Sequence, residues 1–233
     1  MIDAASRSPG SGRAAVVMFD LDGTLSDSAP GILRSLGHAF ALNGLPALDA
    51  PTARALLGPP FHESLPPLIG AAAVPDVIAA YRDHYGRAGM FDTSPYPGVA
   101  AILADLRAVG VRLAVATSKP EHYAVPIIDH LGLAGLFDTI GGDELDGSRG
   151  TKALVIATVL ARLGDPDPST VLMVGDRSHD VEGARAHGIA TIGVGWGYAP
   201  PGELAAARPQ AICATPAALA RALGVDGADA AAC

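Results

Sequence analysis

Cysteine, aromatic side chains and positive charge are all scarce in this 233-residue chain. Its two cysteines, Cys213 and Cys233, lack metal-ligand or redox spacing and are too few for a disulfide framework, which points to a reducing, cytoplasmic setting. Aromatics make up 5% of residues, so Ala, Val and Leu must pack a chain that is 49% hydrophobic. Lys and Arg total 16 against 24 Asp and Glu, a formal charge of −8. That balance argues against nucleic acid or an anionic membrane surface as partner. It does not exclude a small anionic metabolite, which needs only a local cluster of cations. No apolar run reaches bilayer-spanning length. The first 13 residues lack the apolar centre of a signal peptide, and residues 1–12 read as a disordered leader. The length fits one domain with or without a small insert, in a monomer or homodimer.

The run Val16-Val17-Met18-Phe19 is short, β-branched at its start and closed by Asp20-Leu21-Asp22-Gly23-Thr24. It predicts a parallel strand buried on both faces, with the two acids at its carboxyl end. Residues 28–93 show helical patterning and no convincing strand. Leu33, Leu36 and Phe40 form one stripe, Val77, Ile78, Tyr81 and Tyr85 another, with Pro75 at a helix start. From residue 99 the chain alternates. Helices are predicted at 99–109, 121–131, 151–163, 179–187 and from 202, and strands at 111–117, 137–140, 171–174, 190–194 and 211–214. This alternation implies an α/β fold with a doubly wound parallel sheet, interrupted after its first strand by a small all-helical insert. The core is expected over 13–27 and 94–224, with a loose tail over 225–233.

In a parallel sheet the strand ends share one edge. They carry Asp20 and Asp22, then Thr117-Ser118-Lys119, then Gly175-Asp176-Arg177-Ser178-His179-Asp180, while Lys152 opens the helix before the third group. Two close carboxylates repel unless a cation or proton lies between them. Carboxylates with open positions suit Mg²⁺, and hydroxyls and strand-end N–H groups suit phosphate oxygens. Attack of a carboxylate on phosphate is opposed by about 4 kcal/mol per unit-charge pair at about 4 Å. Mg²⁺ and Lys152 would offset that repulsion.

These motifs resemble the four signature motifs of the haloacid dehalogenase-like phosphohydrolases, over roughly residues 15–224. The insert resembles the helical cap of the phosphoglycolate phosphatase and 5′-nucleotidase branch. The resemblance implies a Rossmann-like core and a phosphatase acting on a small phosphorylated metabolite through an aspartyl-phosphate. It implies Asp20 as nucleophile and metal ligand, and Asp22 as acid/base with its carbonyl toward the metal. Gly23, Thr24, Thr117 and Ser118 would bind the phosphoryl group, with Lys152 neutralising charge. Asp176 would complete the Mg²⁺ site, and Asp180 would ligate or orient it. His179 reads as a surface residue or as one that orients Asp180 or Asp176. Arg149 and Arg177 read as ordinary loop arginines, Trp196 and Tyr198 as local packing, and Tyr81 and Tyr85 as core. Residues 58–64 are the expected cap surface over the crevice, with hinges near 26–29 and 93–98. The rivals are a phosphomutase, a dehalogenase and a non-catalytic phosphate-binding module. Asp22 and the Asp176 motif argue against the dehalogenase, and the intact set of Asp20, Asp22, Lys152 and Asp176 argues against the binding module.

Overall fold

The computed structural model describes residues 14–225. Residues 1–13 and 226–233, which hold the expected leader, most of the expected tail and Cys233, lie outside them. Strand β1 (Val16–Phe19) is the centre of the molecule and is buried along its whole length. Side chains alternate across a strand, so Val17 and Phe19 enter one core cluster while Val16 and Met18 enter another on the opposite face. Around β1 stand β4 (Arg112–Pro120), β5 (Thr139–Asp143), β6 (Val171–Gly175), β7 (Ala190–Val194) and β8 (Ala211–Cys213). The sheet order is β5-β4-β1-β6-β7-β8 and every pairing is parallel. The chain runs outward from β1 through β4 to β5, then returns to β6 on the other side. The carboxyl end of β1 is therefore the switch point, where such sheets bind ligands.

Helices α6 (Val99–Ala108) and α7 (Glu121–His130) cover one face. Helices α8 (Lys152–Arg162) and α9 (Ser178–Arg185) cover the other. Short helices α10 (Glu203–Ala207) and α11 (Pro216–Ala222) are the last helices among the described residues. Burying each Leu, Ile or Val of these stripes stabilises by roughly 1.5–3 kcal/mol. Local signals set the starts. Thr151 caps α8 by accepting the Leu154 N–H at 3.3 Å, and Thr215 caps α11 through Ala218 at 3.2 Å.

Between β1 and α6 the chain forms α1 (Ala29–Leu42), α2 (Ala50–Ala55), α3 (Phe61–Ser64), α4 (Pro66–Ile69) and α5 (Val74–Arg87). They have a core of their own, built from Leu36, Ala39, Phe40, Leu56, Leu65, Val74 and Val77. The segment is all-helical, as its patterning implies. At its neck stands an element without a sequence signal, a two-stranded antiparallel ribbon of β2 (Ser26–Asp27) and β3 (Ser94–Pro95). Strands of two residues have no periodicity to read.

Three smaller differences have local causes. Val109, placed on the buried face of the helix before β4, is 46% exposed because it is the C-cap, beyond the helical turns. Strand β5 starts two residues later than expected and runs through Gly141 and Gly142. Val225, assigned to the tail, is buried and donates its N–H to the Ala220 carbonyl at 3.0 Å.

Candidate active site

The carboxyl end of β1 delivers Asp20 and Asp22 to a crevice of about 210 Å³ between the sheet and the helical insert. Asp20 is fixed by its N–H, which donates to Val174 of β6 at 2.9 Å. On its other flank β4 is irregular. Between Ala116 and Pro120 its register slips against Gly141–Asp143 of β5, and the slack pushes Thr117, Ser118 and Lys119 toward the crevice.

Below Asp20 lies Lys152, at the first turn of α8. Its ammonium stands 2.9 Å from Asp20 Oδ1 and 2.8 Å from Asp180 Oδ1, and donates to the Ala116 carbonyl at 3.0 Å. The lysine side chain is 1% exposed. Burial works against its charge, but Asp180 and Asp20 outweigh burial and raise its pKa above the ordinary lysine range. Burial likewise opposes ionisation of Asp180, yet Lys152 and its neighbours hold its pKa below the usual carboxylate range. The second Asp180 oxygen accepts the Arg177 N–H at 3.0 Å, which fixes the start of α9.

Asp176 sits deeper. It accepts the Tyr198 N–H at 2.7 Å and the Thr24 hydroxyl at 3.2 Å. Burial, reinforced by Asp180 and Asp20, pushes its pKa well above the usual range. A Cβ at Gly23 (φ +81°) or at Gly197 would lie 2.3 Å from Asp176 Oδ2, so both positions exclude side chains. Gly23 and Thr24 therefore pack against Asp176.

Asp22 has a separate partner. Lys119 Nζ stands 2.9 Å from Asp22 Oδ2 and donates to the Tyr85 hydroxyl of the insert at 2.8 Å. Burial opposes the lysine's charge, but Asp22 and the surrounding tyrosines raise its pKa above the ordinary range. Tyr85, together with Phe61, Tyr81 and Tyr123, forms an aromatic wall of the crevice. A helical stripe signals core, and nothing in it marks which hydroxyl will meet a lysine. Part of the 58–64 segment does border the crevice, through Gly58, Pro59, Pro60, Phe61 and His62, but from Phe61 it is a helix.

One arginine and a histidine gain roles. Arg177 reaches the insert by donating to the Leu57 carbonyl, and pairs with Glu203 at 2.8 Å. Arg149 is an ordinary loop arginine, paired with Glu121 and Glu144. His179 lines the crevice, and its nitrogen lies within 4.8 Å of oxygens of Asp20 and Asp180. Burial lowers its pKa, favouring the neutral imidazole.

Among the described residues, Asp20 and Asp180 are two buried carboxylates on one ammonium, and Asp176 is a third buried carboxylate that feels the charge of both. Fully ionised, the cluster carries more negative charge than Lys152 balances. Asp20 Oδ1 and Asp180 Oδ1 face the Lys152 ammonium, whereas Asp22 Oδ1 is buried without a hydrogen-bond donor among the described residues. Charge surplus, oxygen donors and the unsatisfied Asp22 oxygen together fit a hard divalent cation such as Mg²⁺.

The sequence pattern of haloacid dehalogenase-like hydrolases matches residues 17–194. Tyrosine-protein kinase PtkA of Mycobacterium tuberculosis is 49% identical over 183 residues, covering 78% of this chain. The match spans only 62% of PtkA's length. A 5′-nucleotidase of Pseudomonas aeruginosa is 36% identical over 96% of this chain and 99% of its own. A crystal structure from Clostridium acetobutylicum, described as a predicted phosphatase, superposes with TM-score 0.85 and 34% identity over 91% of this chain and 99% of its own. With the strand order, the Asp20-x-Asp22 strand end and the matched span in agreement, this chain belongs to the haloacid dehalogenase-like hydrolase family.

Proposed function

We propose that the chain is a Mg²⁺-dependent phosphatase that hydrolyses a small phosphate monoester through phospho-Asp20. The observation carrying this reading is the segregation of the two acids. Asp20 shares Lys152 with Asp180, while Asp22 is held on one oxygen by Lys119 and keeps Oδ1 without a donor. That is the arrangement expected of a nucleophile beside a proton-transfer group.

In the first step an Asp20 oxygen attacks phosphorus and the bond to the leaving oxygen breaks, with Asp22 Oδ1 delivering a proton to that oxygen. In the second step Asp22 takes a proton from water, and the resulting hydroxide attacks the phosphorus of phospho-Asp20. Asp20 leaves as carboxylate and inorganic phosphate departs. Thr117 and Ser118 would hold the phosphoryl oxygens, and Lys152 would neutralise charge on Asp20. Asp20, Asp176 and the Asp22 carbonyl would hold Mg²⁺, with Asp180 as ligand or orienting acceptor. The ion, when bound, supplies positive charge to the transferring group.

The helical insert acts as a cap, and Phe61, His62 and Tyr81 are its candidates for selecting the leaving group. The related 5′-nucleotidase supports a nucleoside monophosphate, and phosphoglycolate is the other leading substrate. EDTA-sensitive release of phosphate from p-nitrophenyl phosphate, followed by a metabolite panel, tests the reading. Asp20→Asn should lower turnover by about 10³-fold or more while the chain stays folded. Retained turnover would remove Asp20 from the nucleophile's role. The likeness to PtkA supports a second reading, phosphotransfer to a protein tyrosine. Label passing from γ-labelled ATP to a tyrosyl peptide would favour it over hydrolysis.

A further inference from the structure

Tyr198 joins two parts of the molecule that lie far apart in sequence. Its main-chain N–H donates to Asp176 Oδ2 at 2.7 Å. Its phenol lies at the start of α1, where it accepts the N–H groups of Ser28 at 2.8 Å and Ala29 at 2.9 Å. It also donates to Asp27 Oδ1 at 2.8 Å. A phenol offers one hydrogen and two lone pairs, so these three bonds saturate it. Burial pushes its pKa up, which keeps the hydrogen in place.

The geometry is that of a strut. The first N–H groups of a helix need acceptors, and the Ser28 side chain supplies none. Tyr198 fills that need from a different part of the chain, sharing the Ala29 N–H with Asp27 Oδ1 at 3.2 Å. Asp27 belongs to β2, which pairs with Ser94 and Pro95 of β3, so the phenol grips the neck where the chain enters and leaves the insert. At the other end Asp176 has no room to shift, because the backbone at Gly23 and at Gly197 closes on its carboxylate. Trp196 adds a parallel tie, donating to the Thr24 carbonyl at 3.3 Å and meeting Tyr96 beside β3 edge to face. Displacing Asp176 moves residue 198, and moving residue 198 pulls on the start of α1.

We propose that Tyr198 is a positioning residue that couples the neck of the helical insert to Asp176, so that insert placement and the geometry of the carboxylate cluster change together. The coupling rests on the phosphatase reading only for the identity of the cation.

Hydrogen exchange on the full chain reads one direction. Asp176→Ala cuts the strut at its cluster end and leaves α1 untouched. Exchange at the Ser28 and Ala29 amides should accelerate about tenfold, as loss of roughly one hydrogen bond's support implies, with Leu113–Ala116 of β4 unchanged. Wild-type rates at both amides would overturn the proposal. Mg²⁺ titration calorimetry reads the other direction, since coupling between sites is reciprocal. Tyr198→Phe keeps the N–H to Asp176 and removes only the phenol's bonds, yet should weaken Mg²⁺ binding about threefold or more. Equal affinity would refute the coupling, as simple packing by the ring predicts. If Tyr198→Phe does not fold, Asp27→Asn loosens the same end and replaces it. If wild-type protein takes up no Mg²⁺, the metal reading fails, and the exchange experiment alone decides the strut.

Discussion

Replacing Lys152 with Met removes the ammonium shared by two buried carboxylates while keeping the side chain's length and most of its packing. The Nζ lies 2.9 Å from Asp20, 2.8 Å from Asp180 and 3.0 Å from the Ala116 carbonyl, behind a side chain 1% exposed. Neither solvent nor another described cation within ion-pair distance of Asp20 or Asp180 can replace it. Breaking a buried pair by deleting one partner costs about 3–5 kcal/mol. For a chain of this size about 1 kcal/mol moves the melting temperature by about 2–4 °C, so Lys152→Met should melt about 6–20 °C lower in EDTA. The cost comes from stranded charge rather than lost volume, so a second substitution should recover it. In Lys152→Met/Asp180→Asn, one stranded carboxylate becomes a neutral amide whose oxygen can still accept the Arg177 N–H. That double variant should regain half or more of the lost stability. Differential scanning calorimetry of the two variants and wild type, all in EDTA, is the assay. A loss below about 1 kcal/mol in the single variant, or no recovery in the double, would show that the carboxylates are protonated or hydrated rather than held by Lys152.

Two further outcomes follow from the contacts around Arg177. Gly58 has φ +108°, and a Cβ there would lie 2.1 Å from the Arg177 guanidinium. Gly58→Ala should lose about 1–2 kcal/mol from the left-handed backbone alone, visible as a lower urea midpoint; an unchanged midpoint would mean that the 57–58 turn relaxes freely. Glu203 accepts from Arg177 and from the Ser178 N–H at 2.8 Å. Burial raises its pKa, but those donors lower it more, and it ends below the ordinary 4.5. A lowered carboxylate contributes stability above its unfolded pKa and loses it as pH falls through the folded one. Wild type should therefore exceed Glu203→Gln in stability at neutral pH, with the gap closing below about pH 4.5. Denaturant titrations from pH 7 to 3 check this, and a pH-independent gap would refute it.

The sheet and the cluster were legible in the sequence for the same reason. A strand buried on both faces must be a continuous apolar run, and Val16–Phe19 and Val171–Gly175 are such runs with acids at their ends. Strand-end chemistry in a parallel sheet has one place to go, so Asp20, Thr117, Lys152 and Asp176 could be brought together before any coordinates. The contacts that cross between segments were not legible. Tyr85 sits in a helical stripe, and its spacing reports burial but not that its hydroxyl meets Lys119. Tyr198 follows two glycines in a loop, and only the fold shows that its phenol caps a helix 170 residues earlier. The neck ribbon Ser26–Asp27/Ser94–Pro95 is too short for any period. Gly23 and Thr24, expected to bind the phosphoryl group, also meet Asp176, through the close backbone at Gly23 and the Thr24 hydroxyl at 3.2 Å, contacts that composition cannot carry.

The two lysines separate what the sequence repeats. Asp20 and Asp22 are the same residue type two positions apart, on a strand end where both could meet the same ions. Lys152 comes from the first turn of α8, inside the core, and reaches Asp20 and Asp180 without contact with the insert. Lys119 comes from the irregular end of β4 and is shared between Asp22 and the insert's Tyr85. The surroundings of Asp20 are thus set by the core alone, whereas those of Asp22 include α5. On the proposed mechanism, a leaving group entering between α5 and β4 would meet Lys119, Asp22 and the aromatic wall, while its phosphoryl group would meet Asp20, Thr117 and Ser118. The insert would then act on the proton-transfer half of the reaction, and changes in α5 would reach Asp22 through Tyr85 and Lys119 while the Lys152 contacts with Asp20 and Asp180 stay in place.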